Sequence, residues 1–151
     1  MFPLQDSTPR RQTPLVTATL IIANCVVFAF ELSVPTEALE RIIYLFGTVP
    51  ARFAEPVPAR NILITAGSYW PFLTSMFLHG GWMHIISNMW ILWIFGDNVE
   101  DRMGHLRFLI FYLICGIASA AFHVVTNVNS TVPAIGASGA IAGVLGAYFL
   151  L

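Results

Sequence analysis

Lysine is absent from the 151 residues, and seven arginines supply all of the basic charge. Eight acidic residues leave a net charge of −1, and charged residues make up only 10% of the chain. Soluble domains carry about 25% charged residues, so a chain this poor in charge could not cover a water-facing surface. Without a basic patch there is no footprint for nucleic acid. The two cysteines, Cys25 and Cys115, sit inside apolar runs. They read as small buried hydrophobes, too few and too apolar in setting for a disulfide framework. His79 and His84 lack the H-E-x-x-H spacing and have no glutamate nearby, so they do not read as a zinc site. No metal or cofactor is implied.

What is abundant is apolar side chain, 57% of the residues, with a mean hydropathy of +0.76. The solvent that suits such a chain is the bilayer, and the expected fold class is an all-α polytopic membrane protein. Residues 1–14 are polar, contain Pro3, Pro9, Pro14 and the pair Arg10-Arg11, and read as a tail. An uncharged stretch from Leu15 to Phe30 closes at Glu31 and approaches the ~20 residues that cross hydrocarbon. A secretory signal is the rival reading, but no small-x-small cleavage site follows, which favours an uncleaved anchor. Spans are expected at about 15–32, 72–96, 106–126 and 135–151. Gly80-Gly81 breaks the second, which starts at Phe72 or at Trp82.

The connection from about 33 to 71 is long. Leu39, Ile42, Ile43 and Phe46 recur in it at helical spacing, which predicts a short helix in the interface plane. Tyr69 and Trp70 suit headgroup level. Gly96, Asp97, Asn98, Glu100, Asp101, Arg102 and Gly104 predict a polar turn, and Asn127–Pro133 an uncharged loop. Arg10 and Arg11 precede the first span, and Arg102 and Arg107 lie between the second and third. Positive residues stay in the cytoplasm, which predicts a cytoplasmic N-terminus with the first connection and Asn127–Pro133 outside. From Ser138 to Leu151 the last run gives only ~21 Å of helix against a ~30 Å core, so the chain is expected to continue past Leu151.

Polar groups inside spans are costly, and each asks for a reason. The second span holds His79, His84, Ser87 and Asn88. A lone histidine here is ordinarily packed or interfacial. His84 and Asn88, however, are four apart and share one helix face, where both can donate hydrogen bonds to one small target. The last span opens with Gly136-Ala137-Ser138-Gly139. A serine at a helix start is ordinarily a cap. Flanking glycines clear the approach to its hydroxyl, as in the nucleophile turns of soluble hydrolases. The N–H groups of the helix start could hold an oxyanion. Gly139, Gly143 and Ala147 form a small face that suits either ordinary packing or a close partner helix supplying a base.

With these residues together, the chain resembles the rhomboid intramembrane serine proteases from Leu15 to Leu151. The resemblance rests on His84-x-x-x-Asn88 with His79 before it, on Gly96-x-x-x-Glu100-x-x-x-Gly104 at the inner end of the same helix, and on Gly136-Ala-Ser-Gly139. It implies a rhomboid-like bundle with about four of six core helices present, and the serine at the start of the fourth. Ser138 would be the nucleophile. His84, Asn88 and the serine N–H would form the oxyanion hole, and a histidine on the sixth helix, beyond this chain, would be the base. Gly96, Glu100, Gly104, Gly136, Gly139 and Gly143 would be structural. Two positions depart from the family pattern: Trp70-Pro71 replaces the frequent Trp-Arg, and Ala142 stands where some members have tyrosine. His105 falls at the cytoplasmic turn, and His123 reads as interfacial.

The implied activity is that of an intramembrane serine endopeptidase cleaving transmembrane protein substrates near the outer face. Its partners would be those substrates and the lipid bilayer, and its place a bacterial inner (plasma) membrane. The 151 residues alone are expected to be inactive for want of the base. Two rivals are a catalytically inactive rhomboid-like binding or quality-control protein, which Ser138 argues against, and a transporter fragment. The transporter reading predicts polar residues along several spans, whereas here they cluster near one end of two.

Overall fold

A computed structural model describes residues 13–54 and 69–150. The expected tail lies outside the described residues except for Thr13 and Pro14, as do residues 55–68 of the first connection. The elements are α1 (Leu15–Ser33), α2 (Thr36–Phe46), α3 (Ala51–Ala54), α4 (Trp70–Thr74), α5 (Trp82–Met103), α6 (His105–Thr126) and α7 (Ser138–Tyr148). A 3-10 turn, Ser75–Phe77, follows α4. Among the described residues the sole β-type pairing is an antiparallel bridge between Thr48 and Ala134.

Helix α1 has neither glycine nor proline within it, and Pro35 lies just beyond its end. It buries Thr17, Leu20, Asn24, Phe28 and Glu31, which recur every three or four residues and so form one stripe. Its outer face shows Leu15, Ile22, Val26 and Phe30. The buried stripe thus holds three polar side chains, Thr17, Asn24 and Glu31, beside Leu20 and Phe28, while large apolar ones face out. Buried polar groups behind an apolar outer face suit hydrocarbon surroundings. Helices α1 and α6 are each long and apolar enough to cross a membrane. Helix α5 has 22 residues, about 33 Å of rise. The core, where α1, α5, α6 and α7 meet, contains Leu92, Val99, Phe108, Tyr112 and Val144, all fully buried. Helix α2 buries none of its residues, and Arg52 lies 3.8 Å over the Tyr44 ring.

Three boundaries differ from the sequence expectation. Residues 72–81 do not belong to a continuous second span: α4, the 3-10 turn and the Gly80-Gly81 break precede α5, which starts at Trp82. The last helix starts at Ser138, as the resemblance implies, and not at 135, because Ala134 is taken up by the bridge to Thr48 and Gly136 by a bond to Ser75. Residues 96–103 are not a turn. Helix α5 runs through them to Met103, and Gly104, at φ 81°, makes the whole junction to α6.

The helix tolerates this polar stretch because its groups are satisfied inside the bundle. Glu100, 1% exposed, accepts from Val16 N (2.9 Å), Thr17 N (2.8 Å) and Thr17 Oγ1 (2.7 Å), and pairs with His105 Nδ1. The first N–H groups of a helix have no intrahelical partner, and α1 has no capping side chain of its own. Glu100 therefore caps α1 from another helix. Gly96, one turn earlier, lets α1 approach: a Cβ there would lie 3.1 Å from Thr17 Cγ2.

Candidate active site

The chain reaches Ser138 through a turn held from two sides. Thr48 N donates to Ala134 O (3.0 Å) and Ala134 N to Thr48 O (2.8 Å). The Thr48 hydroxyl donates to Pro71 O (2.9 Å) and accepts from the Ser75 hydroxyl, whose Oγ lies 3.1 Å away. Ser75 O in turn accepts from Gly136 N (2.8 Å). Gly136 takes φ 116°, a conformation that only glycine adopts without strain. Ala137 is fully buried, and Ser138 emerges exposed as the first residue of α7. No side-chain cap bond closes α7, so Ser138 is not serving as a helix cap.

His84 and Asn88 approach the same turn from α5. A Cβ at Gly136 would lie 2.6 Å from His84 Nε2 and 3.8 Å from Asn88 Nδ2. The glycine thus makes room for the imidazole, and both nitrogens face the backbone two residues before the serine. Asn88 Nδ2 is buried without a hydrogen-bond partner. Such a group costs free energy unless something arrives to accept from it. Among the described residues no side chain hydrogen-bonds the Ser138 hydroxyl.

His79 stands in the turn before α5, outside the spanning helices, with its ring edge-on to His84 at 5.0 Å between centroids. Burial pushes its pKa down to about 4. The neighbouring His84 adds to the shift, and the Phe77 carbonyl opposes it. His79 is therefore neutral near pH 7 and places no cation beside His84. Among the described residues no cluster of three or more histidine, cysteine or acidic side chains could hold a metal.

A cavity of about 170 Å³ opens beside Ser138, lined in part by Thr48, Ser75, Ser119, His123 and Gly139. His123, read from the sequence as interfacial, is half-buried near the end of α6 and lines this cavity. His105 belongs to the α5–α6 junction, paired with Glu100. Gly139 packs against Ser119, and Gly143 against Cys115. Ser119 and Cys115 are four apart on α6, matching the spacing of the two glycines. At Gly139 and Gly143 the small face is thus packed against α6, the ordinary-packing alternative. Sequence reasoning passed over Thr48, Ser75 and Glu31. Only Glu31 carried a signal: an acidic residue in the last turn of an apolar helix opposes the macrodipole and needs a partner.

The family model described as Rhomboid domain matches residues 66–151, more than half of the chain. The chain belongs to the rhomboid family. A putative rhomboid protease, YdcA of Bacillus subtilis, is 31% identical over 118 residues, covering 76% of this chain and 59% of the relative. The rhomboid protease GluP of the same organism is 44% identical over 87 residues, covering 58% of this chain and 17% of GluP. The mitochondrial presenilin-associated rhomboid-like protein of Rattus norvegicus is 32% identical over 130 residues, covering 85% of this chain and 30% of the relative. The chain thus spans less than two thirds of the length of the first relative and under a third of the other two. No solved structure matches it significantly. Rhomboid membership and the long apolar helices α1 and α6 make this an integral membrane protein with a helical-bundle fold.

Proposed function

We propose that this rhomboid acts as an intramembrane serine endopeptidase on transmembrane protein substrates, with Ser138 as nucleophile. The observation that carries the reading is the convergence of His84 Nε2 and Asn88 Nδ2 on Gly136, with Asn88 Nδ2 left free to donate. In the proposed reaction Ser138 Oγ bonds to the substrate carbonyl carbon while a base takes the hydroxyl proton. The oxyanion that forms accepts hydrogen bonds from His84, Asn88 and the Ser138 N–H. Collapse breaks the C–N bond, the amine leaves with the proton, and water then releases the acyl group.

The base in this reading is the histidine that the family resemblance implies on a sixth helix. The N-terminus is cytoplasmic, the cleavage site lies near the outer face, and the membrane is a bacterial inner membrane. The test uses the complete gene product with a transmembrane reporter. Cleavage should vanish in Ser138→Ala with the fold retained, and a fluorophosphonate should label Ser138. Full activity in the alanine variant, or labelling of another serine, rejects the assignment.

A further inference from the structure

Glu31 is a buried carboxylate to which the reaction above gives no task. It lies in the last turn of α1 at 1% exposure, and both of its oxygens lie 3.2 Å from His79 N, from which they accept. A carboxylate at a helix C-terminus faces the unfavourable end of the macrodipole, so its retention there asks for a partner that needs it. One turn earlier, Phe28 packs edge-on against Trp82, the first residue of α5, at 5.1 Å. The end of α1 therefore grips both sides of the turn Leu78–Gly81.

The next N–H along that turn belongs to Gly80, and it donates to His84 Nδ1 at 3.4 Å. A neutral imidazole carries one proton, and the bond made by one nitrogen decides which nitrogen holds it. An Nδ1 that accepts from Gly80 leaves the proton on Nε2, the nitrogen that faces Gly136. We infer that Glu31 is a positioning residue: by holding the His79 N–H it aims the Gly80 N–H at His84 Nδ1, and so keeps His84 in the tautomer that donates toward the turn before Ser138. The carboxyl oxygens can accept from His79 N whether or not the group is ionised. The catalytic consequence of this inference rests on the proposed protease reading, but the tautomer does not.

The test therefore has two arms on the complete gene product. Nitrogen-15 histidine NMR in bicelles, with the His84 signals assigned by their loss in His84→Ala, should show the proton on Nε2. In Glu31→Ala both tautomers should appear. Glu31→Gln keeps a side-chain carbonyl for the His79 N–H and should restore the single form, which separates positioning from general loss of fold. In the second arm, Glu31→Ala should lower kcat on the reporter by about 10-fold with KM nearly unchanged, part of the loss seen when an oxyanion donor is removed outright. In a His84→Ala background the same change should cost less than about 2-fold, because the two residues act through one group. An unchanged His84 tautomer in Glu31→Ala, or a full loss that adds to that of His84→Ala, overturns the inference. Cleavage that survives Ser138→Ala would instead overturn the protease reading, and the NMR arm would still decide the role of Glu31.

Discussion

Replacing Gly136 with alanine tests the geometry around Ser138 directly. Two costs follow from the structure. The backbone at φ 116° strains any residue with a Cβ by about 1–3 kcal/mol. The new methyl would also lie 2.6 Å from His84 Nε2 and 2.7 Å from His84 Cε1. An ordinary contact needs roughly 3.5–4 Å, so the imidazole must retreat by about 1 Å. A displacement of that size in a catalytic constellation can cost about 10²-fold. Gly104→Ala provides the control: its φ is 81°, and nothing lies within 4 Å of a Cβ built there. It should carry the backbone strain without the collision. Both variants should lose about 1–3 kcal/mol of stability in reversible unfolding from mixed micelles. In steady-state cleavage of a reporter in proteoliposomes, only Gly136→Ala should lose about 10²-fold in kcat. A Gly136→Ala protein with near wild-type kcat, or a Gly104→Ala protein equally slowed, would refute the view that this glycine exists to admit His84.

Three further outcomes are expected. Asn88→Ala removes the buried amide nitrogen that has no partner and should lower kcat by about 10²–10³-fold with a smaller change in KM; an unchanged kcat returns Asn88 to a packing role. Glu100→Ala strips the acceptor from Val16 N, Thr17 N and Thr17 Oγ1 and should destabilise the docking of α1 by about 2–5 kcal/mol, read by unfolding in mixed micelles; a loss below about 1 kcal/mol would mean that the cap contributes little. A cysteine placed at Ser7 should react with an impermeant thiol reagent only from the cytoplasmic side, and labelling from outside would invert the proposed orientation.

Much of the fold was legible because the bilayer makes a simple demand. A run such as Leu15–Phe30, without charge or helix breaker, can satisfy its backbone in hydrocarbon only as a helix. The motif residues His84, Asn88 and Ser138 were legible because polar groups in apolar runs are few, whereas Glu100, set among other polar residues, was singled out only by the family motif. Composition alone misread the stretch 96–104 as a turn, whereas the family motif put it at the inner end of the same helix, where it lies. Its polar composition matches a turn, but a helix can carry such residues when other helices bring donors and acceptors to them, as α1 does for Glu100.

What the sequence by itself determined is therefore the class, the membrane setting, the family resemblance and a short set of candidate residues. These depend on local composition and on spacing along one helix. The tertiary structure alone decided who meets whom. It brought His84 and Asn88 onto Gly136, tied the first loop to the serine turn through Thr48 and Ala134, filled the small face of α7 with Ser119 and Cys115, and joined Glu31 to His79 N across 48 residues of chain. Each of these contacts runs between elements far apart in sequence, and no periodicity within either partner encodes the other. Which backbone N–H a buried carboxylate will find is settled only when the helices close around it.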